Sequence, residues 1–253
     1  MVILKTKDEI ARIQKASQIV AQTLETLGRH VEPGISTLEL DALAESEIRK
    51  AGAIPAFKGY RGFPATLCVA VNEVIVHGIP SQRKLKDGDI ISLDLGAIWQ
   101  GFYGDAARTF AVGAISEAAR KLIHVTGESL QIAIKEALPG NRLGDIGYAV
   151  QTFVEGHGYS VVREFVGHGI GRNLHEDPQV PNYGKRGQGH RLKPGMVLAI
   201  EPMVCMGGPE VEILEDNWTA ITKDGSLAAH FEHSIAITAE GPVVLSEING
   251  LVQ

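Results

Sequence analysis

The sequence predicts a mixed α/β (α+β) fold of two related halves facing a central cleft, on three observations. Capping boxes announce helix starts ahead of amphipathic runs, single carboxylates interrupt apolar strand-like runs, and markers from the first half return in the second. Pro33-Gly34 ahead of a helix returns as Pro139-Gly140, and His77-Gly78-Ile79 returns as His168-Gly169-Ile170. LKDGDIISLD (85–94) returns as LKPGMVLAIE (192–201), which sets Asp94 in register with Glu201. No Pro-, Ser- or charge-rich linker divides the chain, so residues 1–253 are expected to form one domain with repeat halves of 1–115 and 116–253.

Each element has a local reason. Thr6 and Glu9 make a capping box, and Ile10, Ile13, Val20, Leu24 and Leu27 follow at helical spacing up to Gly28. Ser36 and Glu39 make a second, with Leu40, Leu43 and Ile48 on one face up to Gly52. The glycine- and aromatic-rich stretch that follows reads as loop, Thr66 to Val71 as strand, and Val74 to Val76 as a short second strand. Ser116 opens a long helix closed by Pro139-Gly140, and another runs from Leu143 to Gly156. Beyond Ser160 strands and loops are expected, with strands around Met196 to Val204 and His230 to Thr238.

Between these lies DIISLDLGAIWQGFYGDAARTFAV (89–112), a hairpin carrying Asp94 and Asp105. A two-residue loop at Trp99-Gln100 sets the two acids directly opposite, with Cβ atoms about 5 Å apart. A bulge at Gly101 shifts that register by one residue, and both registers are open at this point. In the first, two bare carboxylates about 4 Å apart repel by roughly 4 kcal/mol at an effective dielectric near 20, so a positive group belongs between them.

Composition excludes several classes. The net charge is −6 with Lys and Arg scattered, so neither nucleic acid nor an anionic membrane is expected as partner. Cys68 and Cys205 are too few for a disulfide framework, MVILKTKDEI lacks a signal-peptide core, and no apolar run is long enough to span a bilayer. A cytoplasmic monomer is expected.

Candidates for chemistry reduce to His77, Asp94, Asp105, His168, His175, Glu201 and Glu232. Taken singly, Asp94 and Asp105 read as edge or turn residues and His175 as a solvated loop residue. Glu201, inside VLAIEPMV, is different, because an acid in a fully apolar strand is almost never buried without a partner. Glu232 in HFEHSIAIT is similar, with His230 and His233 competing as ligands, and His168 lies between glycines that allow close backbone approach. Together, four carboxylates and one imidazole form an oxygen-rich set suited to two divalent ions of the Mn, Fe(II), Co or Zn type. Such ions lie about 3.5 to 4 Å apart and share a water that becomes the nucleophile.

The residues NEVIVHGIP (72–80), SLDLGAIWQGFYGDAARTF (92–110), GHGIGRNLHEDPQVPNYG (167–184), MVLAIEPM (196–203) and HFEHSIAIT (230–238) resemble those of type I methionine aminopeptidases, enzymes of the pita-bread fold. The resemblance runs along the whole chain. It implies a dinuclear site ligated by Asp94, Asp105, His168, Glu201 and Glu232, with Glu201 also the general base. It further implies that His77 bonds the scissile amide nitrogen and His175 stabilises the oxyanion, while Tyr60, Phe63, Cys68, His77 and Trp218 line a methionine pocket. The implied substrate is the initiator methionine of nascent polypeptides, near the ribosome, ahead of a small second residue. The sequence departs from familiar members at Phe57, Phe63, Val76 and Leu174, which bears on pocket shape and not on the ligands.

No G-x-S-x-G elbow, phosphate loop or H-E-x-x-H is present. The alternatives are a proline-specific peptidase of the same fold, which ordinarily carries a large additional N-terminal domain, and a non-catalytic relative that has lost its metals.

Overall fold

Thr6 and Ser36 cap the first two helices as the sequence requires. Each hydroxyl accepts the N–H three residues on, and Glu9 and Glu39 reach back to the cap N–H, opening α1 (Lys7–Gly28) and α2 (Thr37–Lys50). The computed structural model describes residues 2–247. In chain order the first half continues with β1 (Ile54–Pro55), β2 (Leu67–Val71), β3 (Val74–Val76), β4 (Ile90–Trp99) and β5 (Phe102–Ala111). The second half opens with α3 (Glu117–Glu136), capped by Ser116, and α4 (Leu143–Gly156). Its strands are β6 (Ser160–Val161), β7 (Gly167–Gly169), β8 (Glu176–Val180), β9 (Val197–Ile200), β10 (Met203–Cys205), β11 (Val211–Ile213), β12 (Ala220–Thr222), β13 (Ala228–His230), β14 (His233–Ile237) and β15 (Pro242–Val244).

The halves share one wiring. Helices of 22 and 14 residues lead the first, helices of 20 and 14 the second. Gly34 donates its N–H to Leu85 O (2.8 Å) and Gly140 to Leu192 O (3.0 Å); Leu85 donates to Ile35 O (2.9 Å) and Leu192 to Asn141 O (2.8 Å). In the sheets, β4 pairs with β5 along its length and with β2 at its start, while β9 pairs with β14 and β7. The Asp94/Glu201 register is thereby reproduced in three dimensions, but the His77/His168 match is not. His168 faces Ala199, whose counterpart is Ser92, and Ser92 faces Ala70 of β2. His77 instead sits just beyond β3 with a left-handed φ of 62°.

The hairpin departs from the two-residue loop at Trp99-Gln100. Trp99 pairs with Phe102, and the turn residues are Gln100 (φ 49°) and Gly101 (φ 78°). A two-residue hairpin of this hand needs positive φ at both central positions, which glycine and a linear polar residue adopt more readily than a bulky tryptophan. The turn centre therefore moves one residue along, Asp94 faces Ala107, and Asp105 faces Gly96. The acids are diagonal rather than opposed, yet the two-position offset keeps both on one face.

Two apolar cores flank this frame, one joining α1 and α2 to β2 and β4, the other joining α3 and α4 to β9 and β14. Gly104 lets α1 press on β5, since a Cβ there would lie 2.3 Å from Ser17 N. The halves are sewn together at β5. Ser234 Oγ donates to Asp105 O (2.8 Å), Glu232 N–H to Ala107 O (2.9 Å), and Thr109 Oγ1 to His230 O (2.9 Å). The strands expected over Met196–Val204 and His230–Thr238 are each broken, at Glu201-Pro202 and at Phe231-Glu232. Pro202 has no N–H for a ladder; at the first break the chain passes from the β7/β9/β14 sheet to the β6/β10/β13 sheet, and at the second it passes back.

Candidate metal centre and substrate cavity

Both breaks place an acid where it faces the hairpin acids. Asp94 comes from the middle of β4, beside Cys68 of β2, Asp105 from β5 and His168 from the centre of β7. Glu201 and Glu232 come from the two breaks. Asp105, His168 and Glu232 each offer one ligand atom, all within 4.8 Å of one another. His168 Nε2 lies 3.5 Å from Glu201 Oε1 and 3.9 Å from Asp105 Oδ2. Its Nδ1 donates to Gly169 O at 2.9 Å, which fixes the tautomer and turns the Nε2 lone pair toward the acids.

Burial dominates the electrostatics. It pushes the Asp94 carboxyl up to about 7. Burial first, then the neighbouring acids, raises Asp105, Glu201 and Glu232 well above the usual carboxylate range. Burial also lowers His168 to about 3 and His77 to about 4, and depresses His175, so all three imidazoles are neutral at pH 7. Asp94 Oδ1, Asp105 Oδ1 and Glu232 Oε1 are buried with no hydrogen-bond partner, and no Lys or Arg pairs with these acids among the described residues. Orphaned carboxylate oxygens around a neutral imidazole nitrogen are what a hard or borderline divalent cation requires, so the donor set fits such an ion.

A cavity of about 160 Å³ contains the set. It is lined by Asp94, Asp105, His168, Glu201, Glu232, His77, His175, Tyr60, Phe63, Cys68 and Trp218, together with Phe57, Val76 and Leu174, but not by the competing His230 or His233. The far end is aromatic. Phe63 and Trp218 meet edge to face at 5.1 Å, and His77 packs edgewise on Phe165 (5.2 Å) and Trp218 (6.2 Å). Tyr60 Oη lies 2.8 Å from His175 Nδ1, and the His175 ring lies 4.3 Å from that of His168. A roomier hollow of about 300 Å³ between α1 and α3 shares only Glu232 with the set. The acids and imidazoles converge in the smaller cavity.

Two further residues adjoin the site. His230, offered as a competing ligand, places Nε2 3.7 Å from Glu201 Oε2 with no hydrogen-bond partner, whereas His233 turns away to Ser246 Oγ at 2.8 Å. Arg61 lines the cavity with φ 50° and its guanidinium 5.4 Å from the Tyr60 ring centroid, and nothing in the spacing of that loop marks it.

Metallopeptidase family M24 matches residues 11–239. The chain belongs to that family. Among its relatives, methionine aminopeptidase 1 of Bacillus subtilis is 56% identical over 98% of this chain and 100% of its own length. The methionine aminopeptidase structure of Thermotoga maritima superposes with a TM-score of 0.97 at 48% identity, covering 98% of this chain and 100% of that one. The prolidase of Pyrococcus furiosus superposes at 0.79 with 26% identity, covering 98% of this chain but 66% of the prolidase. The two-half fold expected from the duplication is therefore the pita-bread fold of these enzymes. As an M24 member the chain is a metallopeptidase, a hydrolase using divalent metal.

Proposed function

We propose that this chain removes the initiator methionine from the N-terminus of newly made proteins, with preference for a small second residue. What carries the reading is one cavity with four carboxylates and an imidazole at one end and an aromatic wall at the other. Asp94, Asp105, His168, Glu201 and Glu232 would hold two divalent ions from among Co, Mn, Fe(II) and Zn. When bound, the ions supply a Lewis acid for the scissile carbonyl, an acidified water, and an anchor for the free α-amino group.

The chain's own residues do the rest. Glu201, set at the break after β9 with Oε1 3.5 Å from His168 Nε2, takes the proton of the attacking water. Tyr60 donates its hydroxyl hydrogen to His175 Nδ1, leaving Nε2–H to point at the carbonyl oxygen as charge develops there. Neutral His77 bonds the scissile nitrogen. Tyr60, Phe63, Cys68, His77 and Trp218 surround the unbranched thioether, with Phe57, Val76 and Leu174 narrowing the slot. The reading treats 1–253 as one catalytic domain acting as a cytoplasmic monomer near the ribosome. No described helix is long and apolar enough to cross a membrane.

The test is release of the first residue from Met-Ala-Ser and from Ala-Pro-Ala by metal-stripped protein with Mn, Co, Fe(II) or Zn restored. Metal-dependent release of methionine alone is expected. Cleavage of only the proline peptide, the activity suggested by the prolidase likeness, would overturn the reading, and silence with every metal would point to a non-catalytic relative.

A further inference from the structure

Lys5 and Glu176 form an ion pair of 2.6 Å whose side chains are only 4% and 5% exposed. Every other lysine or arginine in an ion pair among the described residues is at least 37% exposed. Burying both charges gives up their hydration, and such a pair is weak evidence of added stability. Its place in the fold is more informative. Lys5 immediately precedes the Thr6 cap of α1 and donates its N–H to Gly195 O of the second half at 2.7 Å, while its Nζ also donates to Ile3 O at 3.1 Å. Glu176 immediately follows His175, and its other oxygen accepts the Asn173 N–H at 3.1 Å. The lysine stem runs against the turn itself, since a Cβ on Gly171 would lie 2.3 Å from Lys5 Cε and 2.8 Å from Glu176 Oε1. Gly171 O in turn accepts the Tyr103 N–H of β5 at 2.8 Å. The turn that carries His175 is therefore held from below by Lys5 and β5, while Tyr60 meets the imidazole from above.

We propose that Lys5 is a positioning residue: through Glu176 it clamps the 171–176 turn and so sets the placement of the His175 ring over the cavity. The catalytic consequence rests on the role of His175 given above; the clamp itself does not. Removing one charge would strand the other in the interior, so the informative variant is the double Lys5→Met/Glu176→Gln, with Arg172→Gln as control. Arg172 lies on the same turn, and its pair with Glu9 (3.2 Å) is solvent-exposed.

The experiment combines amide hydrogen exchange with steady-state kinetics on the metal-loaded full chain. In the double variant, exchange of amides 173–176 is expected to rise about tenfold or more, with little change in Arg172→Gln. On Met-Ala-Ser, kcat is expected to fall about tenfold with KM within about threefold, and the same double change made in His175→Ala is expected to lower kcat by less than about twofold. Unchanged exchange overturns the clamp. Equal losses of kcat with and without His175 overturn its action through that residue. Raised exchange in a protein whose wild type releases no methionine leaves the clamp standing and removes the functional reading instead.

Discussion

Replacing Asp94 by asparagine isolates the electrostatic cost of the acid cluster. Burial moves this carboxyl from 3.8 to about 7, so the metal-free native state holds its proton more tightly than the unfolded chain does. At pH 4 or below the native protein keeps that advantage; it is lost as pH rises through about 7, where an ionised carboxylate must be carried in the fold. A rise of about three pH units at about 1.4 kcal/mol each makes the loss about 4 kcal/mol. Asparagine has nearly the same shape and never ionises, so the stability of Asp94→Asn relative to wild type should climb by about 4 kcal/mol between pH 4 and pH 8. Urea unfolding in chelator measures it, and at an m value of about 3 kcal/mol per molar the relative midpoint moves by more than about 1 M. Divalent metal at about 100 times its Kd should return about 2.7 kcal/mol to the wild type and less to the variant. A stability difference that stays flat from pH 4 to pH 8 would refute the buried-cluster argument.

Glu201→Ala removes the proposed metal donor and the proposed base together, and turnover on Met-Ala-Ser should fall by about two to four orders of magnitude; near-normal kcat would exclude the base role. His175→Ala should lower kcat about 100-fold with a smaller change in KM, and a pure KM effect in the same assay would exclude oxyanion stabilisation. Trp218→Ala removes the edge-to-face partner of Phe63, so KM for methionine peptides should rise several-fold while metal affinity by calorimetry holds. Gly104→Ala forces a methyl against the α1 backbone at Ser17, and thermal unfolding should report a loss of about 1 to 3 kcal/mol.

What could be read in advance was what local chemistry specifies. Thr6/Glu9 and Ser36/Glu39 carry their helix starts in four residues, and Glu201 betrays itself because the apolar run around it leaves a carboxylate no other use. The repeated LKDG and LKPG segments placed β4 and β9 in register because each strand pairs within its own half. The turn was located within Trp99-Gln100-Gly101 but its register stayed open, since what decides the central pair there is tolerance of positive φ. The HGI repeat misled for the opposite reason. His168 is fixed by pairing to β9, and His77 by a left-handed turn after β3, so like triplets occupy unlike places. A two-residue strand such as β6 exists only through a distant partner, β10. The approach of His230 to Glu201 likewise depends on two chain breaks meeting, and no window of sequence contains both.

The seam along β5 also fixes an order in time. Asp94 and Asp105 are made early in synthesis and pair within their own hairpin, but the segment that abuts them, 230–234, is translated more than a hundred residues later. A growing chain that has emerged only as far as α4 holds Asp94, Asp105 and His77 but not His168, Glu201 or Glu232. Of the residues proposed to hold metal, Glu232 is the last to be made, so the cavity that they line is complete only once the second half is seated on β5.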